Sequence, residues 1–338
     1  MTLYLLRRLF LLAFVFIALS ILAFSLGYLF PGDPLQNFTG LRNISAEQMP
    51  QLMAEYRMND GYIQQYLAYL ERIINGNWGL SFASQQPLLQ EVQPLIPATL
   101  ELAAYALLTS FFIGIPLGIV AAIKPDGALS KLISAIAVAG YSLPVFWLAL
   151  LLIMIFSLAL GWLPTAGRLG VLYEIPHQTG FMLVDILLSD SPYQREAMLN
   201  ALQHLLLPTI VLATFPTTVM LRFTRDSMLE VWDQSYIKTA RAKGLRRSQV
   251  LYRHGLRNAL LPVIRQIGLQ FSTLITLAMI TEVIFSWPGI GRWLIDSIYQ
   301  RNFPAIQSGL LIISTLVITV NMLTEVLHTL FNPLARKR

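Results

Sequence analysis

A chain of 338 residues that is 55% hydrophobic and only 12% charged, with a mean hydropathy of +0.60, lies outside the range of ordinary soluble domains and reads as an integral membrane protein. Its formal net charge of +6 comes from clustered Lys and Arg, which in such a chain sets orientation and is no argument for nucleic acid as a partner. The absence of cysteine excludes disulfides, thiolate chemistry and cysteine-ligated metal, and His177, His204, His254 and His328 are too scattered for a metal-ligand spacing.

In chain order, Arg7 and Arg8 precede an uncharged apolar run over 9–30, long enough to span a bilayer as a helix. A cleaved signal peptide is the competing reading. The core is too long for one and lacks a convincing small-x-small site, so 1–30 is expected to be a cytoplasmic end and first span. Residues 31–96 are polar and mildly acidic and are expected outside, with helical spacing over 48–74 and an aromatic anchor at Trp78. The sequons at Asn37 and Asn43 are of a kind that chance often produces.

The second span is expected over 100–123. Gly114, Pro116 and Gly118 lie inside it, the proline as a kink and the glycines as sites of close packing. A short basic turn leads to a third span over 132–160, longer than a bilayer requires, where a tilt or a break at Pro144 takes up the surplus. Residues 161–203 form a second outside insertion, with a short surface helix near 181–188. A fourth span, 204–221, carries Pro208 and Pro216. A basic loop fills 222–257, a fifth span covers 258–285, an outside loop follows, and a sixth span covers 305–331.

Charge tests this layout. The segments placed inside hold 16 Lys or Arg against 4 Asp or Glu, and those placed outside hold 7 against 11. Six spans with both termini in the cytoplasm therefore satisfy the positive-inside rule.

Within the basic loop, Ile237, Ala240 and Gly244 share one small, weakly apolar face of a short helix, from which Lys238, Arg241 and Lys243 project elsewhere. Ser248 is placed to cap a second helical turn, and Pro262 falls early in the helix that follows. On charge alone, a loop that only fixes orientation or touches anionic lipid accounts for it as well as a surface that docks into a partner. Charge does not require Ala240, Ala242 and Gly244, nor Asn258 ahead of Leu260-Leu261-Pro262.

That spacing resembles the coupling loop of the permeases of ATP-binding-cassette (ABC) transporters, which docks into a separate ATPase. The glutamate that names the loop in the family is absent, since Thr239 precedes Ala240. Pro31-Gly32-Asp33-Pro34, Pro97 to Glu101 and Glu282 to Arg292 extend the likeness to the B-type members of the dipeptide and oligopeptide permease family. Stretches such as Gly161 to Arg168 are most similar to its Sap-type members, associated with cationic antimicrobial peptides and polyamines. The resemblance implies an all-α ABC type I permease fold over 97–338 with a cytoplasmic coupling helix. It also implies a bacterial inner-membrane complex with a second homologous permease, two ATPase subunits and a periplasmic substrate-binding protein. Ala240, Ala242, Gly244 and Leu245 would then make the ATPase contact, with Arg241, Arg246 and Arg247 at its rim and Asn258 and Pro262 completing the motif.

No phosphate-binding Gly-x-x-x-x-Gly-Lys-Ser/Thr loop occurs, so the chain is expected to be no enzyme, with no cofactor, and to rely on partners for ATP hydrolysis. Three acids lie in or beside spans. Glu101 and Glu282 map near outer helix ends, where water is expected to reach them, and Glu325 lies closer to the inner end of the last span. An ion-coupled secondary transporter would call for paired repeats and mid-membrane ionisable residues, neither of which is evident. A membrane scaffold that moves nothing is a third class.

Overall fold

The computed structural model describes residues 2–331; at some positions within that range, among them Arg241, Arg247, Ser248, His254 and Glu325, only the backbone is described. The basic tail at 336–338 lies outside the described residues, as do the predicted roles of those side chains. Helix dominates from end to end, and among the described residues no strand forms beyond an isolated bridge between Leu80 and Pro87.

Helix α1 (Thr2–Leu29) is the first apolar run. The Pro31–Pro34 motif opens a further helix: the Asp33 carboxylate accepts from the Leu35 amide at 2.9 Å as N-cap, Pro34 takes the first helical position, and α2 (Pro34–Thr39) ends at Gly40 in the left-handed region. Three more short helices follow, α3 (Met49–Glu55), α4 (Tyr62–Ile74) and α5 (Leu88–Val92). Helix α4 is amphipathic, burying Gln65, Ala68, Tyr69 and Ile73 at helical spacing. Its buried face joins Phe24, Phe38 and Tyr56 in an aromatic cluster that seats this segment on α1 and on the last helix, at Leu311. Trp78 packs into this cluster instead of standing at the surface, and Asn37 is buried with its side-chain amide donating to Gly27 O, which removes it as a glycosylation acceptor.

Helix α6 (Leu95–Ile123) begins five residues before the expected span and runs unbroken through Pro116. The third predicted span divides. Helices α7 (Ala128–Ser142) and α8 (Val145–Leu152), the latter continued by a π-helical stretch Ile153–Ala159, meet at an angle of 103°. Pro144 disfavours helix at Leu143 and has no amide to donate, so the surplus length is taken up by a sharp break and not by tilt.

After α9 (Met182–Leu188), helix α10 (Gln194–Trp232) is a single 39-residue rod. The expected fourth span, 204–221, is only its middle. Pro208 and Pro216 are both buried inside α10 without ending it. The basic region holds α11 (Ser235–Ala242), α12 (Arg247–Val250) and a π-helical stretch Leu251–Gly255, which leads directly into α13 (Leu256–Ile284). The stretch predicted as an outside loop contains a helix, α14 (Ile290–Tyr299), and the chain closes with α15 (Phe303–Phe331).

Among the described residues four helices are long and apolar enough to cross a membrane, or five if α7 and α8 form one broken span. Helix α13 covers the remaining predicted span with a shorter apolar run, Leu269–Ile284.

The core lies where α6, α10 and α13 meet. Ala98, Leu102 and Ala106 of α6 pack with Leu205, Leu212 and Ala213 of α10 and with Leu274, Ile275 and Ala278 of α13. Successive contacts, Ala106 near Ala213 and Ala122 near Met228, make α6 and α10 parallel, while Ala259 beside Met228 and Leu274 beside the start of α6 make α13 antiparallel to both. Small residues bring α6 and α10 close: a Cβ on Gly114 would lie 2.8 Å from Thr217 O, and one on Gly118 2.6 Å from Leu221 O. Ser110, one turn earlier, donates to Ala106 O and Ala213 O, which satisfies its hydroxyl in an apolar setting.

Candidate functional site: an exposed basic loop and a buried polar junction

Two polar regions stand at opposite ends of α13, whose 29 residues separate them by about 43 Å at 1.5 Å per residue.

At its N-terminal end, α11 lays Ile237 and Ala240 against Val231, Trp232 and Val250 of the same chain. Ile237 is fully buried and Ala240 keeps 8% of its surface. Ala240 is thus small because it packs under its own loop, and it is not offered outward as the expected contact requires. Ala242, Lys243, Gly244, Leu245 and Arg246 are exposed. Gly244 has φ +79°, and nothing lies within 4 Å of where a Cβ would stand, so the backbone and not crowding calls for glycine there. Helix α12 begins at Arg247, ahead of Ser248; the Arg246 amide donates instead to Gln249 Oε1 at 3.0 Å. Asn258 is exposed and its Nδ2 donates to Tyr236 Oη at 3.1 Å, tying the start of α13 to α11. Pro262 stands in the second turn of α13, one turn later than expected.

At the other end, Glu101 and Glu282 are buried to 3% and 0% exposure, so water does not reach them. Their surroundings compensate. Arg168, from the 161–181 stretch, pairs with Glu101 through Nη2 and donates to Gly180 O at 2.9 Å, and Glu101 also accepts from the Leu183 amide at 3.2 Å. Among the described residues no cation pairs with Glu282. Its Oε1 accepts from Thr99 Oγ1 at 2.5 Å and its Oε2 from the Arg292 amide at 2.9 Å, so the carboxylate caps the N-terminus of α14 from the end of α13. Thr99 Oγ1 in turn accepts from the Ile290 amide, and the Trp287 indole donates to Ala98 O, both at 2.9 Å. A Cβ on Gly289 would fall 2.2 Å from the Glu282 carboxyl and would have to push it away from Thr99 and the Arg292 amide. Two stretches separated by more than 180 positions, Pro97 to Glu101 and Glu282 to Arg292, thereby become one assembly, with the Arg168 guanidinium 5.4 Å from the Trp287 ring centre.

Beside the junction, Asp185 of α9 ties down the loop before it, accepting from Thr179 through both amide and hydroxyl and from the Gly180 amide at 3.0 Å. Burial alone would raise its pKa, but these bonds together outweigh burial and hold the carboxyl below its ordinary value.

Of the residues singled out for kinking or packing, Gly114, Gly118, Pro208 and Pro216 lie in the α6–α10 contact or buried within α10. Pro116 is exposed on the far face of α6, and Pro144 marks the break. Arg168, Thr99 and Trp287 lie within stretches that carry the family likeness, but the sequence assigns none of them an individual role, and their meeting at the junction is not legible in it. An arginine in a short stretch bounded by Gly161 and Gly180 carries no local sign that it will be buried, and its one signal was a positive charge with no evident partner nearby. Among the described residues no group of His, Asp and Glu could hold a metal, and His204 is occupied by Asn200 O at 2.8 Å.

Residues 114–337 match the family model described as the binding-protein-dependent transport system inner membrane component, and residues 1–103 match the N-terminal model of such membrane components. The chain belongs to this family of ABC permeases. The permease is 44% identical over 330 residues to the di/tripeptide transport system permease protein DppB of Pseudomonas aeruginosa (strain UCBPP-PA14), covering 98% of this chain and 97% of that one. It is 42% identical over 337 residues to SapB of Escherichia coli (strain K12), named a putrescine export system permease protein, covering 100% and 98%. In three dimensions it is similar to a chain of the MetNI methionine ABC transporter in inward-facing conformations, with a TM-score of 0.56 at 16% identity, covering 73% of this chain and 99% of that one. That likeness speaks to fold alone: the permease has the all-helical type I ABC fold and is an integral inner-membrane component of an ABC transporter.

Proposed function

We propose that this permease carries peptides across the inner membrane, forming the path with a second homologous permease, drawing ATP hydrolysis from two separate ATPase subunits and receiving cargo from a periplasmic binding protein. Six spans place both termini in the cytoplasm, with the fifth provided by α13, in keeping with the charge asymmetry between the two sets of loops. The observation that carries the coupling role is the exposed run Ala242 to Arg246, presented beyond a helix whose inward face is already filled by Ile237 and Ala240. Docking then rests on Ala242, Gly244 and Leu245, with Lys243 and Arg246 at the rim, and Ala240 supports the loop from beneath. Closure of the ATPases would push on α11 and α12 and rock α10 and α13 about their shared core.

The absence of native cysteine gives a clean test. Ala242→Cys, paired with a cysteine in the ATPase groove, should cross-link in native membranes with a yield that changes on adding ATP. No link, in a folded complex with the ATPase present, removes the docking role. Gly244→Trp should insert normally and abolish transport, and ordinary flux in that variant would have the same consequence.

Polyamine is the second cargo reading, favoured by the name of the Escherichia coli relative, a putrescine export system permease protein. Reconstituted complex should accumulate a labelled dipeptide in an ATP-dependent manner with the proton gradient collapsed. Movement of putrescine in place of the dipeptide decides for the second reading.

A further inference from the structure

The seat of the 31–92 segment on α15 contains two polar groups that nothing among the described residues satisfies. Tyr69 of α4 and Gln307 of α15 keep only 6% and 3% of their surface, and neither Tyr69 Oη nor Gln307 Nε2 has a hydrogen-bond partner among the described residues. Both line one small cavity, together with Phe38, Tyr56, Arg72 and Ser308. Burial pushes the Tyr69 phenol well above its ordinary pKa, so it remains able to donate as well as accept. An orphaned donor or acceptor in such a place is uncommon and costly, and it generally marks an ordered guest.

We infer that this cavity holds one internal water bridging Tyr69 Oη and Gln307 Nε2, so that the 31–92 segment is joined to the last span through a hydrated polar link. Size and charge select the guest. The cavity leaves about 10 Å³ for the centre of a water-sized sphere, which is the room a single water needs and too little for a carboxylate or phosphate group. The Arg72 guanidinium, 3.3 Å over the Tyr56 ring centre, lines the same space and opposes a metal cation. The Ser308 hydroxyl donates to Trp78 O at 3.3 Å, and Tyr69 Oη and Gln307 Nε2 are the fully buried side-chain atoms of the lining with no partner among the described residues. Because Tyr69 and Gln307 come from different elements, the water adds a directional link between α4 and α15 beside the Ser308–Trp78 bond, where Phe38 and Leu311 supply non-directional packing.

The test uses the full permease in its complex in lipid nanodiscs. A density map fine enough to show ordered solvent should place one peak within hydrogen-bond distance of both atoms. A direct Tyr69–Gln307 bond, or a cavity without density, overturns the inference. In the same preparation, Tyr69→Phe and Gln307→Leu should each lower Tm by about 2–4 °C, and the double variant should lose no more than the worse single one, since the water leaves as a unit. Additive losses would count against a shared guest. Tm should be unchanged when chloride is replaced by a larger anion; a fall on its removal assigns the site to chloride and overturns the water.

Discussion

The two ends of α13 treat polar residues in opposite ways. At the end with α14, Glu101, Arg168, Thr99 and Glu282 are taken out of solvent and bonded in two pairs, Arg168 with Glu101 and Thr99 with Glu282, which also engage backbone amides of α9 and α14 and the Gly180 carbonyl. At the end with α11, Lys243, Gly244, Leu245 and Arg246 stay exposed on a short turn whose own packing is confined to Ile237, Ala240 and Val250. Charge buried in a bundle has to be answered within the chain, because no solvent can answer it. Charge left exposed on a short turn is free to be answered by another molecule. The first end is therefore built for rigidity and the second, on the proposed function, for contact, and substitutions should separate them.

The largest effect should come from Glu101→Leu. It strands the Arg168 guanidinium in a buried site and should cost about 3–5 kcal/mol, read as lost yield and a lowered Tm. Glu101→Leu combined with Arg168→Leu should recover much of that loss, since no charge then remains unpaired; a double variant as unstable as the single would mean the pair is needed for more than charge balance.

Glu282→Ala comes next. It removes the acceptor for Thr99 and for the Arg292 amide at the head of α14, and a buried donor left without a partner costs about 1–3 kcal/mol. Faster hydrogen exchange in α14, with the α11 end unchanged, is the signature to measure. Glu282→Gln keeps an acceptor oxygen and should fall between wild type and Glu282→Ala.

Asp185→Asn should have a smaller effect that depends on pH. The folded carboxyl titrates below its ordinary value, so its contribution is fully present above the unfolded pKa and is lost as pH falls through the folded one. The gap in Tm between wild type and Asp185→Asn should be constant from neutral pH down to about 5 and close below about 4. A gap that persists in strong acid would show that the hydrogen bonds matter without the charge.

The smallest change in stability should be at the contact end. Gly244→Asn, which tolerates the left-handed backbone, should leave stability within about 1 kcal/mol of wild type and retain transport. Gly244→Ala should cost slightly more through its backbone alone. A large loss of Tm in Gly244→Asn would mean that the loop is part of the rigid body after all, and the contrast between the two ends would fail.

Long apolar runs were legible because their composition is a local property: α1, α6 and α15 end within a residue of where hydropathy puts them, although α1 and α6 begin several residues earlier. So was the Gly114–Gly118 pair, whose spacing by one helical turn implies a close neighbour before that neighbour is known to be α10. Expectation and structure part where an ordinary local rule is overruled by packing. Pro208 and Pro216 should weaken α10, yet it runs on because helices on several sides bury it and an apolar setting leaves the backbone no alternative to helix. Residues 286–304 begin with Ser, Trp, Pro and Gly and resemble a loop, but the Glu282 carboxylate supplies the cap that lets α14 start at Ile290.

Composition and spacing along single helices were enough for the membrane class, the basic face of one set of loops, the family motifs and the small residues that permit close helix contact. Packing between distant segments was needed to turn Ala240 inward, to bring Arg168 to Glu101 across 67 positions, and to hold Glu282 without a cation, through Thr99 and the head of α14. Burial is a property of which surfaces meet, and a carboxylate near a helix end reads the same in sequence whether water or a neighbouring helix awaits it.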